Sequence, residues 1–278
     1  MTLHSIETGY FKLDGGAMFG VVPKTIWQKI NPADEKNLCT WQMRCLLIED
    51  GDQLILIDTG MGDKQSAKFF SYYDPHGDAS LMNSIKAKGY SAEDVTDVIF
   101  THLHFDHCGG GVNRHGEKFE AAFKNATYWS NETHWQSAIA PNARERASFL
   151  KENFVPLQGD DRVRFIDENN RPSDKITFTL VNGHTEAQLI PHIQYKDKTL
   201  VFAADLIPSV GHIPLPYIMG YDLNALQSLQ EKTDFLNEAQ IGNYVLFFEH
   251  DRLNECCNLK QTEKGIRADE IFALKDWL

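Results

Sequence analysis

Three histidines and one aspartate lie within six positions of the chain, and only Thr101 separates them from the apolar residues 98–100. The cluster comprises His102, His104, Asp106 and His107. Imidazole nitrogens with a carboxylate oxygen suit borderline divalent ions such as zinc. Side chains alternate along an extended segment, so His102 and His104 point the same way, and the next turn can return Asp106 and His107 to the same cavity. We therefore predict a metal site at the end of a buried strand.

Three later predicted strands also end on metal-ligating residue types. They are 176–181 followed by His184, 199–203 followed by Asp205, and 244–248 followed by His250. Loops beyond the carboxyl ends of strands build the site in α/β proteins, so we expect these residues to join the first cluster. Together they supply five histidines and two aspartates, enough for two metal ions with one shared carboxylate and positions left for solvent.

Predicted strands and helices alternate along the chain without a linker. Strands 44–48 and 53–57 flank a hairpin turn, and strand 96–100 delivers the histidines. Helices are predicted over 81–88, from Ser91, and over 222–239. The last should present one apolar face, formed by Leu223, Leu226, Leu229, Thr233 and Leu236. These observations predict a single domain spanning residues 1–278.

Composition excludes some function classes. The chain has 27 Lys and Arg against 39 Asp and Glu, a formal charge of −12, which disfavours a nucleic-acid surface. Neither a secretory signal pattern nor an apolar stretch of about 20 residues is evident, so we expect a cytoplasmic protein with no membrane partner. The five cysteines lack a C-x-x-C pair, which fits that compartment. Cys108 is either a packing residue or a functional one, as a soft ligand or a redox-sensitive thiol.

The order of the ligands resembles the metallo-β-lactamase superfamily in its dinuclear hydrolase branch. The His-x-His-x-Asp-His motif is followed by a His 77 residues after His107, an Asp 21 further and a His 45 beyond that, and the likeness spans residues 58–250. It implies an αβ/βα sandwich, with two mixed sheets between outer helices. It also implies the ligand sets, namely His102, His104 and His184 on one ion, Asp106, His107 and His250 on the other, and Asp205 bridging.

The segment Leu-Ile-Asp-Thr-Gly at 56–60 resembles the strand-end Asp-Thr-Gly of the same family. The family's Asp orients a ligand histidine, and a metal-bound imidazole needs an acceptor for its outer N–H. Asp58 is therefore predicted to orient a ligand. The alternative is that Asp58 only starts a turn before Gly60.

Two such ions, about 3.5–4 Å apart, share a hydroxide because coordination lowers the pKa of water from 15.7 toward about 7. Asp106 or Asp205 could then pass a proton to the departing oxygen. We predict metal-dependent hydrolysis of a small molecule with two divalent ions, zinc first, while iron, manganese and cobalt remain open.

Among the branches of this family, the lactonases and organophosphate hydrolases fit best. Flavodiiron enzymes carry Glu where this chain has His104, and the commonest zinc β-lactamases carry Cys where it has Asp205. Glyoxalase II adds a helical C-terminal region, whereas 28 residues follow His250 here. One departure matters, because the lactonases place a substrate-binding Tyr three residues after the bridging Asp, and this chain has Pro208.

Either another residue supplies this donor or the natural substrate is not an acyl homoserine lactone. A replacement donor could come from the segment 209–221, where His212 and Tyr217 are the candidates. Apolar residues that could wall the pocket, or instead pack in the core or at a homodimer surface, are Met18, Phe19, Ile26, Trp27, Phe69 and Phe70. Two alternatives stay open: a phosphotriesterase or phosphodiesterase, and a catalytically silent metal-binding or regulatory member of the fold.

Overall fold

The computed structural model describes residues 1–159 and 161–278, and its core is two six-stranded sheets. Strands are numbered in chain order. Across the first sheet they are Thr2–Asp14 (β1), Leu38–Asp50 (β2), Gln53–Ile57 (β3), Asp97–Ile99 (β4), Thr127–Ser130 (β7) and Val163–Phe165 (β8). Across the second they are Gly265–Phe272 (β14), Cys256–Thr262 (β13), Val245–Phe247 (β12), Lys198–Phe202 (β11), Gln188–Tyr195 (β10) and Ile176–Val181 (β9). A separate hairpin pairs Val112–His115 (β5) with Lys118–Ala121 (β6).

The α-helices connect or flank these strands. They are Gly15–Phe19 (α1), Lys24–Trp27 (α2), Ala67–Tyr73 (α3), Leu81–Ala87 (α4), Phe105–Cys108 (α5), Glu132–Ile139 (α6), Val155–Gly159 (α7), Ala225–Ile241 (α8) and Leu274–Trp277 (α9). No helix in the described ranges is long and apolar enough to cross a membrane.

Alternation along β2 explains how the first sheet separates two layers. Leu46 and Ile48 pack in the core between the sheets with Phe202 of β11. Leu47 points to the opposite face, where it packs with Ile85 of α4. Because successive side chains of a strand point to opposite faces, every buried position of β2 must be apolar or paired. This is why residues 45–48 of β2 are all apolar, while the buried Arg44 donates to Phe248 O.

Helix α8 covers the outer face of the second sheet. His192 of β10 pairs with Val201, and therefore points away from the face that carries Phe202. The ring of Phe235 in α8 lies 6.2 Å from the ring of His192. The order helix, sheet, sheet, helix is the αβ/βα sandwich predicted from the sequence.

Strand direction explains why the predicted ligands meet. β3 and β4 are parallel in the first sheet. In the second sheet β9 and β11 are each antiparallel to β10, and β11 is parallel to β12. All five strands that precede a predicted site residue therefore run the same way within their sheet, and their carboxyl ends lie at one edge.

Two of the helix predictions were wrong in detail. The residues after Ser91 form a turn rather than a helix, because the Asp94 carboxylate accepts both the N–H and the hydroxyl of Ser91 and closes a tight loop. α8 begins at Ala225, and Leu226 is 79% exposed. Its buried side instead includes Lys232, whose ammonium group donates to loop carbonyls, so the buried face is less apolar than predicted.

Candidate metal centre

The structure brings all seven predicted ligands together at the shared edge of the two sheets. They form two groups, within each of which the ligand atoms lie within 4.8 Å of one another: His102, His104, His184 and Asp205, and Asp106, His107 and His250. Asp205 Oδ2 lies 3.1 Å from His184 Nε2, and its Oδ1 lies 3.1 Å from His250 Nε2. One carboxylate thus touches both groups, in the position expected of a bridging ligand.

A glycine pair lets the histidine loop pack against the loop that follows β3. Thr59 N donates to His107 O over 2.7 Å. A Cβ atom at Gly109 would lie 2.0 Å from Met61 O, and one at Gly110 would lie 2.2 Å from Thr59 O. Any larger residue would push the two loops apart, so the glycines set the position of His107.

The loop that carries His184 is held against the first turn of α8. Gly183 N donates to the Glu231 carboxylate over 2.9 Å. A Cβ atom at Gly183 would lie 2.4 Å from Ser228 N, so only glycine permits this approach. Leu223 N donates to His184 O over 3.2 Å, which joins the ligand directly to the start of the helix.

Four ligand histidines have an acceptor beside the ring nitrogen that faces away from the site. The pairs are His104 Nε2 with Glu145 at 3.5 Å, His107 Nδ1 with Asp58 at 3.1 Å and Glu249 at 3.0 Å, His184 Nδ1 with Asp222 at 2.9 Å, and His250 Nδ1 with Gln42 O at 2.8 Å. The hydrogen bonds at His107, His184 and His250 keep the proton on the outer nitrogen and leave the inner lone pair free. Glu145, at 3.5 Å, is close to His104 Nε2 without forming a hydrogen bond.

Asp58 occupies the position predicted for it. Its carboxylate accepts the N–H of Thr101 over 2.8 Å and the hydroxyl of Thr101 over 2.6 Å, in addition to the contact with His107. Asp58 also has a φ of 57°, so it turns the chain as well as orienting the histidine. The two interpretations of this residue are therefore compatible.

The inner nitrogens fit a pair of cations. His104 Nδ1 lies 3.1 Å from His102 Nε2 and 3.2 Å from His184 Nε2. His107 Nε2 lies 3.2 Å from His250 Nε2. When the protons are on the outer nitrogens, each of these inner nitrogens carries a lone pair. Two lone pairs about 3 Å apart repel each other unless a cation lies between them. A nitrogen and carboxylate set of this kind matches zinc and similar divalent ions.

The carboxylates give the site a strongly negative field. Burial alone lowers the pKa of His184, but the charges of Asp205 and Asp222 outweigh it and raise that pKa to about 10. At His250, burial again lowers the pKa, but the charges of Asp205 and Glu249 outweigh burial and raise the pKa to about 9. Groups that attract protons this strongly also attract metal cations.

A cavity of 330 Å³ opens over the two groups. Its apolar wall includes Leu13, Met18, Phe105 and Met219. Polar groups on the wall, apart from the ligands, are Tyr73, Arg144, Glu145, Ser148 and Tyr221. The site is therefore open to a small molecule on one side and sealed by the two sheets on the other.

His212 does not face this cavity, contrary to the expectation from the sequence. Its ring stacks on Phe19 with centroids 4.6 Å apart, and its side chain is 1% exposed. Nε2 lies 2.9 Å from Met18 O, and Nδ1 lies 2.7 Å from Ser209 Oγ. Both nitrogens are used inside the protein, so His212 has no donor left for a substrate.

Tyr217 and most of the proposed wall residues also lie away from the cavity lining. Tyr217 packs edge-on against Phe19, with centroids 6.3 Å apart. Of the six apolar candidates only Met18 lines the cavity. Phe19 and Trp27 are buried in an aromatic cluster, which agrees with the packing alternative. Local sequence could not separate the two roles, because both need the same residue types.

Cys108 is a packing residue. It is fully buried, its thiol donates to Leu103 O over 3.3 Å, and burial raises its pKa to about 12. It belongs to neither ligand group. The other four cysteines are also free and buried.

Sequence reasoning missed Glu145, Asp222, Glu249 and the cavity tyrosines. Glu249 had a usable signal, since it directly precedes His250 at a strand end. Asp222 precedes α8 and could be taken for a helix-start residue. Glu145 lies in an irregular segment after α6 with no pattern around it.

Comparisons with known proteins point to one family. The family model described as the Metallo-beta-lactamase superfamily matches residues 41–250 of this chain. Among curated relatives, the N-acyl homoserine lactonase AiiA of Bacillus thuringiensis subsp. kurstaki is 28% identical over 150 residues, which cover 48% of this chain and 53% of the relative. The match thus spans about half the length of these curated relatives.

Solved structures resemble nearly the whole chain. A probable metal-dependent hydrolase from Staphylococcus aureus superposes with a TM-score of 0.89 and 26% identity, covering 98% of this chain and 96% of the other. AidC, described as a dizinc quorum-quenching lactonase, superposes with a TM-score of 0.79 and 22% identity, covering 98% and 95%. At 22% sequence identity, the similarity to AidC shows a shared fold and nothing further.

Proposed function

Because this chain belongs to the metallo-β-lactamase superfamily, we propose that it is a metal-dependent hydrolase that opens lactones or cleaves related esters. The observation that carries the proposal is the pair of ligand groups joined by Asp205 at the floor of an open cavity. The similarity to a curated N-acyl homoserine lactonase supports the choice of a carbonyl substrate.

In this proposal the two ligand groups hold two divalent ions, zinc by the chemistry of the donor set. One group is His102, His104 and His184, the other is Asp106, His107 and His250, and Asp205 is shared. When bound, such ions supply Lewis acidity and water acidic enough to serve as a nucleophile near neutral pH.

Asp106 is the better placed carboxylate for proton transfer. Both oxygens of Asp205 lie 3.1 Å from a histidine nitrogen. Asp106 Oδ2 is 3.8 Å from both His107 Nε2 and His250 Nε2, and the residue lines the cavity. Asp106 can therefore hold a proton and pass it to the departing oxygen of the substrate.

The apolar wall binds and orients the rest of the substrate. Leu13, Met18 and Met219 line the cavity and offer an apolar surface for an acyl or alkyl chain. The cavity of 330 Å³ is near the lower end of the usual range for ligand pockets, about 300–1,000 Å³, which favours a small ester or lactone.

The test is a set of initial rates for metal-loaded protein on acyl homoserine lactones, simple γ- and δ-lactones, aryl esters, a phosphotriester and a β-lactam. His104→Ala and Asp205→Ala should abolish hydrolysis while the chain stays folded. His115→Ala, at an exposed histidine of β5, is the matched control and should behave as wild type. Full activity in either site variant would refute the proposed centre.

The same panel addresses the two alternatives. Preference for the phosphotriester would favour a phosphotriesterase, because the same ligand set can serve a phosphoryl centre. A silent member of the fold would hydrolyse none of the substrates. The number of metal ions per chain also distinguishes the alternatives. We expect close to two ions per chain for the hydrolase, and fewer for a silent member of the fold that no longer binds metal.

A further inference from the structure

Hydrolysis of an ester or lactone places negative charge on the carbonyl oxygen, and a hydrogen-bond donor aimed at that oxygen stabilises the transition state. Four residues of the cavity lining carry a donor group and belong to neither ligand group: Tyr73, Arg144, Ser148 and Tyr221. The segment after Asp205 offers no hydroxyl at position 208, which is a proline. An effective oxyanion donor also needs a side chain that is fixed in position.

Arg144 already serves another purpose. Its guanidinium donates to Gly220 O and, over 3.1 Å, to Asp222 O, so it fastens the chain that follows the 209–221 segment. The residue is otherwise exposed to solvent. A cation that is both anchored to carbonyls and hydrated is a weak candidate for the oxyanion donor.

Tyr73 is held by an aromatic clamp, formed by the rings of Phe69 and Phe105, beside the loop that carries the candidate ligand Asp106. Its ring centroid lies 4.6 Å from that of Phe105 and 5.0 Å from that of Phe69, and Phe69 meets Phe105 edge-on at 5.1 Å. Phe105 directly precedes Asp106, so the clamp ties the phenol to the ligand loop itself. Three mutually packed rings restrict the orientation of the tyrosine side chain.

The end of α3 is also anchored to the first sheet. Asp74 ends the helix in the left-handed conformation, with a φ of 42°, and its N–H donates to Phe70 O over 2.9 Å. The Asp74 carboxylate lies 2.9 Å from the ammonium group of Lys12 in β1. Tyr73, the last residue of the helix, is thus fixed through its backbone as well as through its ring.

The Tyr73 hydroxyl is free to bind a ligand. It has no hydrogen-bond partner within the described ranges, although the residue lines the cavity together with Asp106. Burial, and secondarily the charge of Asp106, raise the pKa of this phenol, so it stays protonated at neutral pH and can donate. Tyr221 also lines the cavity, but it is 39% exposed and no aromatic ring packs against it in the described residues.

We propose that Tyr73 is a catalytic residue whose hydroxyl donates a hydrogen bond to the substrate carbonyl oxygen as that oxygen becomes negative. The inference rests on the proposed function and deepens it, because it commits the site to carbonyl substrates. No covalent bond to Tyr73 forms or breaks. The phenol proton stays on Tyr73 throughout, while Asp106 carries the proton of the reaction.

The experiment compares Tyr73→Phe with wild type on the best lactone or ester of the panel. Tyr73→Phe keeps the aromatic clamp and removes only the hydroxyl. Loss of one oxyanion donor predicts a fall in kcat of about 100-fold, with KM changed by less than about threefold. Metal content and thermal midpoint should stay at wild-type values.

Three variants serve as controls. Tyr72→Phe removes the hydroxyl of the neighbouring residue, which is 59% exposed, and should retain full activity. Ser148→Ala and Tyr221→Phe remove the other free hydroxyls of the cavity and should each cost less than about fivefold in kcat, well below the loss from a true oxyanion donor.

A binding measurement separates a catalytic role from a structural one. A phosphonate monoester is a stable tetrahedral anion, and its Kd should rise in Tyr73→Phe by a factor comparable to the loss in kcat, while the Kd for zinc is unchanged. If Tyr73→Phe keeps kcat within threefold of wild type, or loses zinc, the inference is overturned. If wild type itself hydrolyses no ester or lactone, the proposed function fails instead.

Discussion

Removing both carboxylates beside His107 should weaken metal binding far more than removing either one. Asp58 Oδ2 and Glu249 Oε2 lie 3.1 Å and 3.0 Å from the same atom, His107 Nδ1, and all three residues are fully buried. Asp58 forms the hydrogen bond to Nδ1 in this structure, while Glu249 is close enough to take over that role when Asp58 is replaced. Without both, the proton can move to Nε2, the atom that faces His250 and the metal position.

The magnitude follows from this redundancy. Loss of the acceptor of a ligand histidine typically lowers metal affinity about 10- to 100-fold. One carboxylate remains in each single variant, so we expect only about threefold for Asp58→Asn and for Glu249→Gln. Independent effects would multiply to about ninefold, whereas the double variant should lose about 100-fold, a coupling free energy of about 1.4 kcal/mol.

The assay is a competition titration of metal-free protein against a chromophoric chelator, with thermal unfolding to check that each variant is folded. Asn tolerates the φ of 57° at position 58, and it can still accept the N–H of Thr101. Asp269→Asn, in the exposed Lys260 pair, is the control for loss of one carboxylate. A double variant weakened only about ninefold would show that the two carboxylates do not share one role.

Three further outcomes are expected. Lys232→Met leaves Pro214 O and neighbouring carbonyls without their buried donor, and should lower the free energy of unfolding in urea by about 2–4 kcal/mol, whereas Lys264→Met at an exposed position should not. Burial lowers the pKa of His134 to about 4, and Leu103 N donates to it over 2.8 Å. In the unfolded chain this histidine binds its proton near pH 6.5, so the neutral buried ring stabilises the fold above that pH. As the pH falls toward 4, the free energy of unfolding should decrease by about 3 kcal/mol. His134→Gln should flatten this part of the plot of urea midpoint against pH. Removing metal with a chelator should lower the thermal midpoint, and readdition at about 100 times Kd should restore about 2.7 kcal/mol; an unchanged midpoint would contradict the proposed centre.

The convergence of the candidate ligand residues was predictable because their types and positions repeat one local rule. Each of His102, His184 and His250 follows an apolar strand, and parallel or same-direction strands end at one edge of a sheet. The resemblance to the metallo-β-lactamase superfamily gave the sandwich, and the matching family model confirms that membership. The cytoplasmic location, the single domain and the homodimer stay predictions.

The errors arose where tertiary packing overrides a local pattern. The helical pattern of 222–239 favoured a face with Leu226, yet the helix buries Lys232 because loop carbonyls need its donors. The aromatic and polar character of 209–221 favoured His212 as a substrate contact, yet its ring is stacked and both nitrogens are used. Both outcomes depend on contacts with residues distant in the chain, Pro214 for Lys232 and Met18 and Phe19 for His212.

The sequence by itself determined which atoms can bind metal and which strand ends carry them, because ligand chemistry and strand periodicity are local properties. Only the tertiary structure decided which acceptors orient the ligands and which hydroxyls face the cavity. Glu145 lies 3.5 Å from His104 although the two are 41 positions apart, and Tyr73 packs on Phe105 from another helix. Such contacts depend on how separate elements pack, and local residue order does not encode them.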